Sequence, residues 1–553
     1  MKRQYSHTYN RCMRIGIGQL NPTVGAIARN CDRILTIVDE ARTLACDLVV
    51  FPELAVCGCS PRDSVWQPGY VAACGQAIEA IRAASESIGI IVGTVTADDA
   101  RRSIDRCGGA APADSARPKL FNAAVLIEDR QIIGTAPKIH LSSHRERDEH
   151  RYYTAGPGTE LFSCRDVALG ISLGEDLWAP DGPADLQASL GANWIINPSA
   201  SPFHLGKQAD LHRSICRRAK ETGVSIVHAN LVGGQDGLVF DGGSFIVDEE
   251  GQILFQAPLF AEGLFVADLP EKQSALLDRN DELEQLHAAL TLGIRDYLSK
   301  NGFESALIGL SGGIDSAVVA ALAADALGPE YVTAVFLPSQ FSSKMSRDDA
   351  RETARRLSIE LLEIPITAVH EAMRAALPDQ PIGLVDENLQ PRIRATLWMA
   401  LAAQRNALVL CAGNKSEIAM GYSTLYGDTT GALAPIGDLY KTDVFRLARS
   451  LGGQIPPRVL DRPPTAELRP EQRDDEDLPP YGVLDALLEK RIEQNQSRAE
   501  LLAEGFDPPL VDRVLNTLRL TEYKRYQLPP ALKVSRQPFG IGRRMPITNA
   551  YEV

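Results

Sequence analysis

Short apolar runs alternate with longer amphipathic stretches in the first half of the chain. Mostly apolar runs bounded by Gly, Pro, Asp or Asn are typical of buried strands. Residues 27–44 place apolar side chains at helical spacing, which predicts an amphipathic helix. The predicted strands cover residues 14–20, 47–51, 88–95, 122–127, 167–173, 194–197, 224–229 and 244–247. This mixture predicts a layered α/β sandwich.

The second half of the chain has a more regular rhythm. Its predicted elements are helix 281–300, strand 305–309, helix 315–326, strand 332–337, helix 344–357 and strand 360–364. Strands separated by helices pair in parallel, because each helix returns the chain to the same edge of the sheet. The pattern therefore predicts a doubly wound, parallel α/β sheet.

A polar segment separates the two patterns. Residues 268–280 read DLPEKQSALLDRN, a composition suited to a linker. A chain of 553 residues is also too long for one ordinary core. We therefore predict two domains, 13–267 and 281–553. A charged, proline-rich stretch at 456–480 predicts a loop or lid in the second domain.

Composition and charge disfavour some classes of binding partner and indicate a cellular compartment. The net charge of −14 disfavours broad binding to nucleic acids or anionic membranes. No apolar run is long enough for a membrane span, and the N-terminus lacks the apolar core of a signal peptide. Ten scattered cysteines are typical of free thiols in a reducing compartment. These features predict a cytoplasmic protein that binds anionic ligands through local groups.

The strongest motif follows the predicted strand at 305–309. It consists of Ser311, Gly312, Gly313, Ile314, Asp315 and Ser316. Glycines let the backbone approach phosphate, and the next helix offers N–H groups to an anion. The serines can donate to phosphate oxygens, whereas the like-charged Asp315 is suited to hold Mg2+. A glycine turn with polar helix caps is the alternative interpretation. The motif lacks the lysine of kinase and GTPase P-loops and resembles the loop of adenylating amidotransferase-type ligases.

The rest of the second half resembles NAD synthetase. The matching segments are ENLQ at 387–390 with Arg392 and Arg394, GNKSE at 413–417, GYSTLYGD at 421–428, KTD at 441–443, ELRP at 467–470 and KR at 524–525. They cover nearly all of 281–553 and are specific only when taken together. The resemblance implies an ATP-pyrophosphatase-type fold that activates deamido-NAD with ATP, releasing pyrophosphate and then AMP.

The same resemblance assigns roles to individual positions. ATP would be bound by Ser311, Gly312, Gly313, Asp315, Ser316 and Lys415. Deamido-NAD would be contacted by Asn388, Glu417, Asp428 and Lys524, with Mg2+ shared by Asp315 and Glu417. Ala412 departs from the family, which often has a threonine there to contact ATP. Loss of one neutral hydrogen bond should weaken binding by only about 0.5–1.5 kcal/mol.

The first half resembles the nitrilase-type glutaminase domain of glutamine-dependent NAD synthetases, an αββα sandwich. FPEL at 51–54 would supply the general base Glu53, and Lys138 would stabilise the oxyanion. The resemblance assigns the glutamine pocket to Phe121, Ser201 and Lys207, although a tyrosine is usual at the first of these positions. The family also uses this domain in oligomer contacts, so a homo-oligomer is expected.

The nucleophile of that domain is missing. The family places a cysteine immediately before Glu-Asp-x-Trp, and this chain reads LGEDLW at 173–178, with Gly174 at the cysteine position. Glycine cannot form the thioester that covalent amide hydrolysis requires. We therefore expect glutaminase activity to be absent or very weak, with free ammonia as the nitrogen source.

Several alternatives remain open at this stage. Gly174 could reflect natural loss or an engineered substitution, and another thiol, Cys59 or Cys164, could rescue glutamine hydrolysis. A different adenylating amide ligase would share the loop at 311–316 but not the later segments. A nucleotide-binding module with two decayed sites is the non-enzymatic alternative, and a free-standing amidase is disfavoured by Gly174.

Overall fold

The chain divides into two compact units. The computed structural model describes residues 13–97, 118–143, 146–269, 281–379, 381–463, 467–470, 472 and 478–551. The first unit comprises residues 1–202, 206–233 and 240–279, and the second 203–205, 234–239 and 280–553. Most of the segment interpreted as a linker, from 270 to 280, lies outside the described residues.

Two six-stranded sheets form the first unit. The strands up to residue 269 are β1 (Met13–Gln19), β2 (Leu48–Val50), β3 (Gly89–Ala97), β4 (Leu120–Glu128), β5 (Gln131–Pro137), β6 (Leu161–Cys164), β7 (Val167–Ile171), β8 (Trp194–Ser199), β9 (Ser225–Asn230), β10 (Val232–Gln235), β11 (Leu238–Asp241), β12 (Phe245–Val247), β13 (Ile253–Gln256) and β14 (Gly263–Leu269). One sheet has the order β14-β1-β2-β3-β4-β5 and the other β13-β12-β9-β8-β7-β6. Each mixes parallel and antiparallel pairs.

The two sheets pack face to face, with helices on their outer sides. The helices are α1 (Ile27–Thr43), α2 (Tyr70–Ala84), α3 (Pro183–Ser189) and α4 (Lys207–Thr222). Ile196 and Val227 point into the core shared by the sheets, whereas their neighbours Ile195 and Ile226 pack with α4. This alternation follows the period of two along a strand and produces the predicted α/β sandwich.

The second unit is built on a parallel sheet. Its strands are β15 (Ser305–Gly309), β16 (Val332–Phe336), β17 (Glu360–Glu363) and β18 (Ala407–Leu410), in the order β17-β16-β15-β18. All three pairings are parallel, as predicted. Because the strand order reverses between β15 and β18, a crevice is expected at their carboxyl ends, where the loop after β15 lies.

Helices surround this sheet. They are α5 (Glu282–Lys300), α6 (Ile314–Leu327), α7 (Lys344–Leu357), α8 (Thr367–Ala376), α9 (Leu384–Arg405), α10 (Lys415–Met420), α11 (Lys441–Ser450), α12 (Pro457–Asp461), α13 (Tyr481–Ile492), α14 (Arg498–Ala503), α15 (Pro508–Leu520) and α16 (Glu522–Arg525). The stretch interpreted as a loop or lid contains α12, and part of it lies outside the described residues. Among the described helices, none is both long and apolar enough to cross a membrane.

Candidate active sites

The loop after β15 turns sharply into α6. Gly312 has a φ of +85°, a left-handed conformation that L side chains rarely adopt. A Cβ at this position would also lie 2.3 Å from the carbonyl oxygen of Ser346 on α7. Glycine is therefore required at 312, and the backbone of the loop can approach a ligand closely.

The two serines of the motif hold this loop in shape. The hydroxyls of Ser311 and Ser316 are 3.1 Å apart, and Ser316 donates to the carbonyl of Gly313 at 3.0 Å. The first-turn N–H groups of α6 have no acceptor within the helix, because each would need a carbonyl four residues earlier. Such N–H groups can bind an anion at the helix N-terminus.

A cavity opens over this loop at the carboxyl end of the sheet. Its wall contains all six motif residues, Ser311, Gly312, Gly313, Ile314, Asp315 and Ser316. It also contains Glu417, Asp428 and Lys441 among the charged residues, and Ala412 at the position where the family often has threonine. The sequence motifs at 311–316, 413–417, 421–428 and 441–443 therefore meet at one place.

Asp315 and Glu417 converge on one cation. Lys441 Nζ contacts Oδ2 of Asp315 and lies 3.4 Å from Oε1 of Glu417. Asn414 also donates to Oδ1 of Asp315 at 3.1 Å. Two carboxylates facing one positive group form an arrangement that can accept a divalent cation with oxygen ligands. Within the described ranges, no group of three or more His, Cys, Asp or Glu side chains is arranged to hold a metal.

Lys415, which the resemblance assigns to ATP, is not among the residues that line the cavity. Its buried Nζ is 2.8 Å from Oδ1 of Asp438 and 2.6 Å from Oε1 of Glu493, and it donates to Ser535. Burial lowers the pKa of Lys415, but the two carboxylates outweigh this effect and raise it. Lys415 is thus held by partners inside the fold, and Lys441 is the lysine in the cavity wall.

Among the positions expected to contact deamido-NAD, Asp428 lines the cavity, whereas Asn388 and Lys524 bind the segment that carries Asp428. Asp428 lines the cavity, where removal from bulk water raises the pKa of its carboxyl to about 6. Asn388 accepts a hydrogen bond from the hydroxyl of Thr424 at 2.6 Å. Lys524 donates to the carbonyls of Gly421 and Ser423, both at 2.7 Å. These two residues hold the segment that carries Asp428.

Three further wall residues had no assigned role in the sequence. They are Arg394, Trp398 and Arg462. Burial lowers the pKa of Arg394 to about 10, and its Nε donates to the carbonyl of Leu337. The indole Nε1 of Trp398 is buried and has no hydrogen-bond partner in the part of the chain that the structure describes. Arg462 pairs with Glu467 at 2.6 Å, which places the ELRP segment at the cavity. Only Arg394 belonged to a matched segment.

In the first unit, Glu53 and Lys138 form a buried ion pair. Lys138 Nζ lies 2.9 Å from Oε1 of Glu53 and 2.8 Å from Oε2 of Glu149. Asn122, on β4, donates to Oε1 of Glu53 at 2.7 Å. Burial would raise the pKa of Glu53, but the charges of Lys138 and Arg147 outweigh it and lower the pKa to about 2. Glu149 is not among the residues that the sequence assigned to this site.

Gly174 faces this ion pair. It begins the 3-10 helix Gly174–Leu177 with a φ of +46°. A Cβ at this position would lie 3.0 Å from Oε2 of Glu53 and 3.3 Å from Nζ of Lys138. Asn197 holds the glycine carbonyl at 3.0 Å. A side chain at 174 would therefore point directly between the two groups that the resemblance assigns to base and oxyanion stabilisation.

Arg147 is another residue of this site that the sequence did not indicate. Its Nη1 lies 3.3 Å from Oε2 of Glu53, its Nη2 donates to the carbonyl of Ala200, and its side chain is only 7% exposed. The surrounding sequence, RERDEH, is typical of a solvated loop, so no local signal indicates burial. Its contacts with Glu53 and Ala200, both distant in sequence, place it here.

Neither alternative thiol has the properties of a nucleophile. Cys59 is buried in the field of Glu53 and Arg147, and burial raises the pKa of its thiol to about 12. Cys164 lies against Glu128 and Gly89, and burial likewise raises its pKa to about 12. The thiolate is the reactive form, so both groups are almost entirely unreactive near pH 7.

The residues assigned to the glutamine pocket are held in different ways. Lys207 is buried, and its ammonium contacts Oδ1 of Asp241 and donates to the carbonyl of Ser201 at 2.7 Å. The backbone N–H of Ser201 donates to Asn230 at 2.8 Å. Phe121 lies half-buried on β4. Lys207 therefore fixes the chain around Ser201 through an ion pair with Asp241.

Comparison with known proteins agrees with both halves of this description. The family described as NAD synthase matches residues 286–529, and the family described as carbon-nitrogen hydrolase matches residues 14–277. The chain is 40% identical to the glutamine-dependent NAD(+) synthetase of Synechocystis sp., over 97% of this chain and 99% of that protein. It is also 40% identical to the protein of the same name from Xylella fastidiosa, over 98% and 99%.

Solved structures give the same result over the full length. The glutamine-dependent NAD+ synthetase of Acinetobacter baumannii, in complex with ADP, matches with a TM-score of 0.74 and 31% identity over 98% of this chain and 99% of that one. The enzyme of Cytophaga hutchinsonii shares the fold, with a TM-score of 0.79 at 21% identity and 98% coverage of both chains. The chain therefore belongs to the family of glutamine-dependent NAD(+) synthetases, which are ATP-dependent carbon–nitrogen ligases.

Proposed function

We propose that this chain makes NAD from deamido-NAD, ATP and free ammonia. The observation that carries the choice of nitrogen donor is Gly174, which lacks a side chain at the point that faces Glu53 and Lys138. The ligase half is supported by the cavity, where the phosphate-binding loop, two carboxylates and Lys441 meet. Activation and amide formation would then occur in the second unit, independently of glutamine hydrolysis.

The ligase reaction would proceed in two displacements. A carboxylate oxygen of deamido-NAD attacks the α-phosphorus of ATP, which forms an acyl adenylate and releases pyrophosphate. Ammonia then attacks the acyl carbon, AMP departs with the electron pair of the broken C–O bond, and the new amine nitrogen loses a proton. Both substrates are anions, so the site must neutralise charge and align the reacting atoms.

The residues at the loop fit that task. The N–H groups at the start of α6 and the hydroxyls of Ser311 and Ser316 would hold the β- and γ-phosphates that leave as pyrophosphate. Lys441 would neutralise phosphate charge, because it lies in the cavity wall. Lys415 would stabilise the fold through its buried ion pair with Asp438 and would not contact ATP. Asp428 would accept a hydrogen bond from deamido-NAD, with Asn388 and Lys524 supporting its segment.

Mg2+ would bind at Asp315 and Glu417. These two carboxylates already face a common positive group, and Mg2+ is usually held by one or two carboxylates together with waters and substrate phosphates. When bound, the ion would supply charge neutralisation at the phosphates. The hydrogen bond from Asn414 would also keep Asp315 oriented.

The proposal is tested by comparing nitrogen donors. NAD formation is measured with ammonium and with glutamine at matched concentrations, using the full chain with ATP, Mg2+ and deamido-NAD. We expect turnover with ammonium and at most a trace with glutamine. Efficient use of glutamine would refute the loss of glutaminase activity, and no turnover with either donor would refute the ligase assignment.

We also propose that the protein assembles as a homo-oligomer. Exposed apolar side chains cluster in sequence from α8 to the start of α9. Ile382, between the two helices, is 81% exposed, and Leu384, the first residue of α9, is 70% exposed. Such a run of exposed apolar residues is more typical of an interface than of a solvated surface. Sedimentation should give a mass above that of one chain, and I382D/L384D should lower it, whereas a monomeric unaltered protein would contradict the proposal.

A further inference from the structure

Glu53 has no acceptor position left for a nucleophile. A carboxylate offers about four lone-pair sites, two on each oxygen. Oε1 accepts from Lys138 at 2.9 Å and from Asn122 at 2.7 Å. Oε2 accepts from the backbone N–H of Ala200 at 3.0 Å and from Nη1 of Arg147 at 3.3 Å. All four positions are therefore occupied by donors from within the first unit.

The oxygen bound by Arg147 is also the one that faces position 174. The Cβ of a side chain at 174 would lie 3.0 Å from Oε2 of Glu53, closer than to any other atom. A general base must be within hydrogen-bond reach of the proton that it removes, with a lone pair directed at it. For a nucleophile at 174, that lone pair belongs to Oε2.

Arg147 is fixed in this position by more than one contact. Its Nη2 donates to the carbonyl of Ala200, and Glu149 lies 3.9 Å from Nη1. The guanidinium is therefore held between the β8–α4 connection, which carries Ala200, and the carboxylate pair. Moving the Arg147 side chain out of this site is unfavourable, because two buried carboxylates would then lose part of their compensating positive charge.

We propose that Arg147 is a second determinant of nitrogen-donor choice, which blocks glutamine hydrolysis independently of Gly174 by occupying Oε2 of Glu53. This inference rests on the proposed ammonia-dependent function. It adds a residue that lies outside the sequence segments matched to the family. Restoring the thiol at 174 alone then leaves the site inactive. Arg147 acts through Glu53, so it is a positioning residue rather than a catalytic one.

The blocked step is the first proton transfer of amide hydrolysis. In a competent site, Glu53 takes the proton from the thiol as sulfur bonds to the amide carbon, and the proton is passed to the departing ammonia. Water then cleaves the thioester, giving glutamate and the free thiol. With Arg147 bound to Oε2, Glu53 cannot accept that proton, so the thiol of a cysteine introduced at position 174 stays protonated.

The test uses glutamate release from glutamine by the full chain in four variants: G174A, G174C, R147M and G174C/R147M. G174A is the matched control for G174C, because it adds a Cβ but no thiol. We expect G174C to stay close to G174A, and G174C/R147M to exceed G174C by roughly 100-fold, the lower range of a general-base contribution. G174C/R151M serves as a second control, since Arg151 is an exposed arginine four residues away.

Three outcomes would overturn the inference. G174C alone could hydrolyse glutamine as fast as the double variant, the double variant could fail to exceed G174C, or G174C/R151M could gain as much as G174C/R147M. G174C/R147Q is measured in parallel, so that the result does not depend on the folding of one variant, and thermal unfolding identifies folded proteins. Glutamine hydrolysis by the unaltered chain would instead refute the proposed function.

Discussion

The ammonium group of Lys441 donates a hydrogen bond to Oδ2 of Asp315, a residue 126 positions earlier in the chain. Each residue lies in the first turn of its helix, α11 for the lysine and α6 for the aspartate. Two helix N-termini therefore meet at the loop formed by residues 311–316. This pairing explains how a lysine that is only 1% exposed can still line the cavity.

Replacing Lys441 with methionine should lower kcat/KM for ammonia-dependent NAD formation by about 10²–10³-fold, the usual cost of removing one preorganised group that stabilises transition-state charge. Methionine keeps the length of the side chain and removes the charge. The matched control is Arg449→Met, an exposed position at the other end of α11, which should change the rate by less than about twofold. Equal losses in both variants would argue against a direct role.

Asp315→Asn should raise the Mg2+ concentration needed for half-maximal activity at least roughly tenfold, because even the loss of a residue outside the metal's own ligands costs that much. Asp325→Asn on the same helix is the control, since Asp325 pairs with His287 outside the cavity. Activity is followed against Mg2+ at saturating ATP. An unchanged Mg2+ requirement in the asparagine variant at 315 would contradict the proposed metal site.

Lys415→Met should destabilise the second unit rather than weaken ATP binding at a folded site. The substitution leaves Asp438 and Glu493 without their shared buried cation, and loss of one partner from a buried ion pair costs about 3–5 kcal/mol. Urea unfolding measures the free energy of unfolding, and ATP binding is measured under conditions where the variant remains folded. Normal stability with lost ATP affinity would return Lys415 to the phosphate-binding role.

The affinity for deamido-NAD should depend on pH through Asp428. The pKa of this carboxyl is raised to about 6, so it is mostly protonated at pH 5 and mostly ionised at pH 7. If the ionised form accepts the hydrogen bond, KM for deamido-NAD falls as pH rises through about 6. Asp428→Asn should remove this dependence while keeping the acceptor for Thr424. A KM that varies identically with pH in both proteins would assign the titration to another group.

The sequence pattern predicted the frame of both units well but missed several elements. The parallel strands β15 and β16 are short, mostly apolar runs between helix-length segments, and this alternation rather than periodicity identifies them. Edge strands such as β5, which exposes Ile132 and Ile133, have no buried face to create a pattern. The helix α2 was missed because its small, alanine-rich residues give a weak amphipathic signal.

For the candidate sites, too, the sequence predicted some residues and missed others. Residues inside a motif, such as Asp315 and Glu417, could be located because their neighbours constrain the backbone. Whether a charged side chain turns towards a cavity or into the core depends on partners far away in sequence, as Lys415 and Glu493 illustrate at a separation of 78 positions. The burial of Arg147 depends on Glu53, 94 positions earlier, for the same reason.

The four charges around Gly174 have a consequence for how the first unit can diverge. Glu53, Lys138, Arg147 and Glu149 sum to zero, and each is compensated only while the other three remain. A substitution that removes one of them leaves an uncompensated charge in the protein interior. This destabilises the fold whether or not the enzyme hydrolyses glutamine. Folding alone is therefore enough to retain Glu53 and Lys138 in this chain, so their presence is poor evidence that it consumes glutamine.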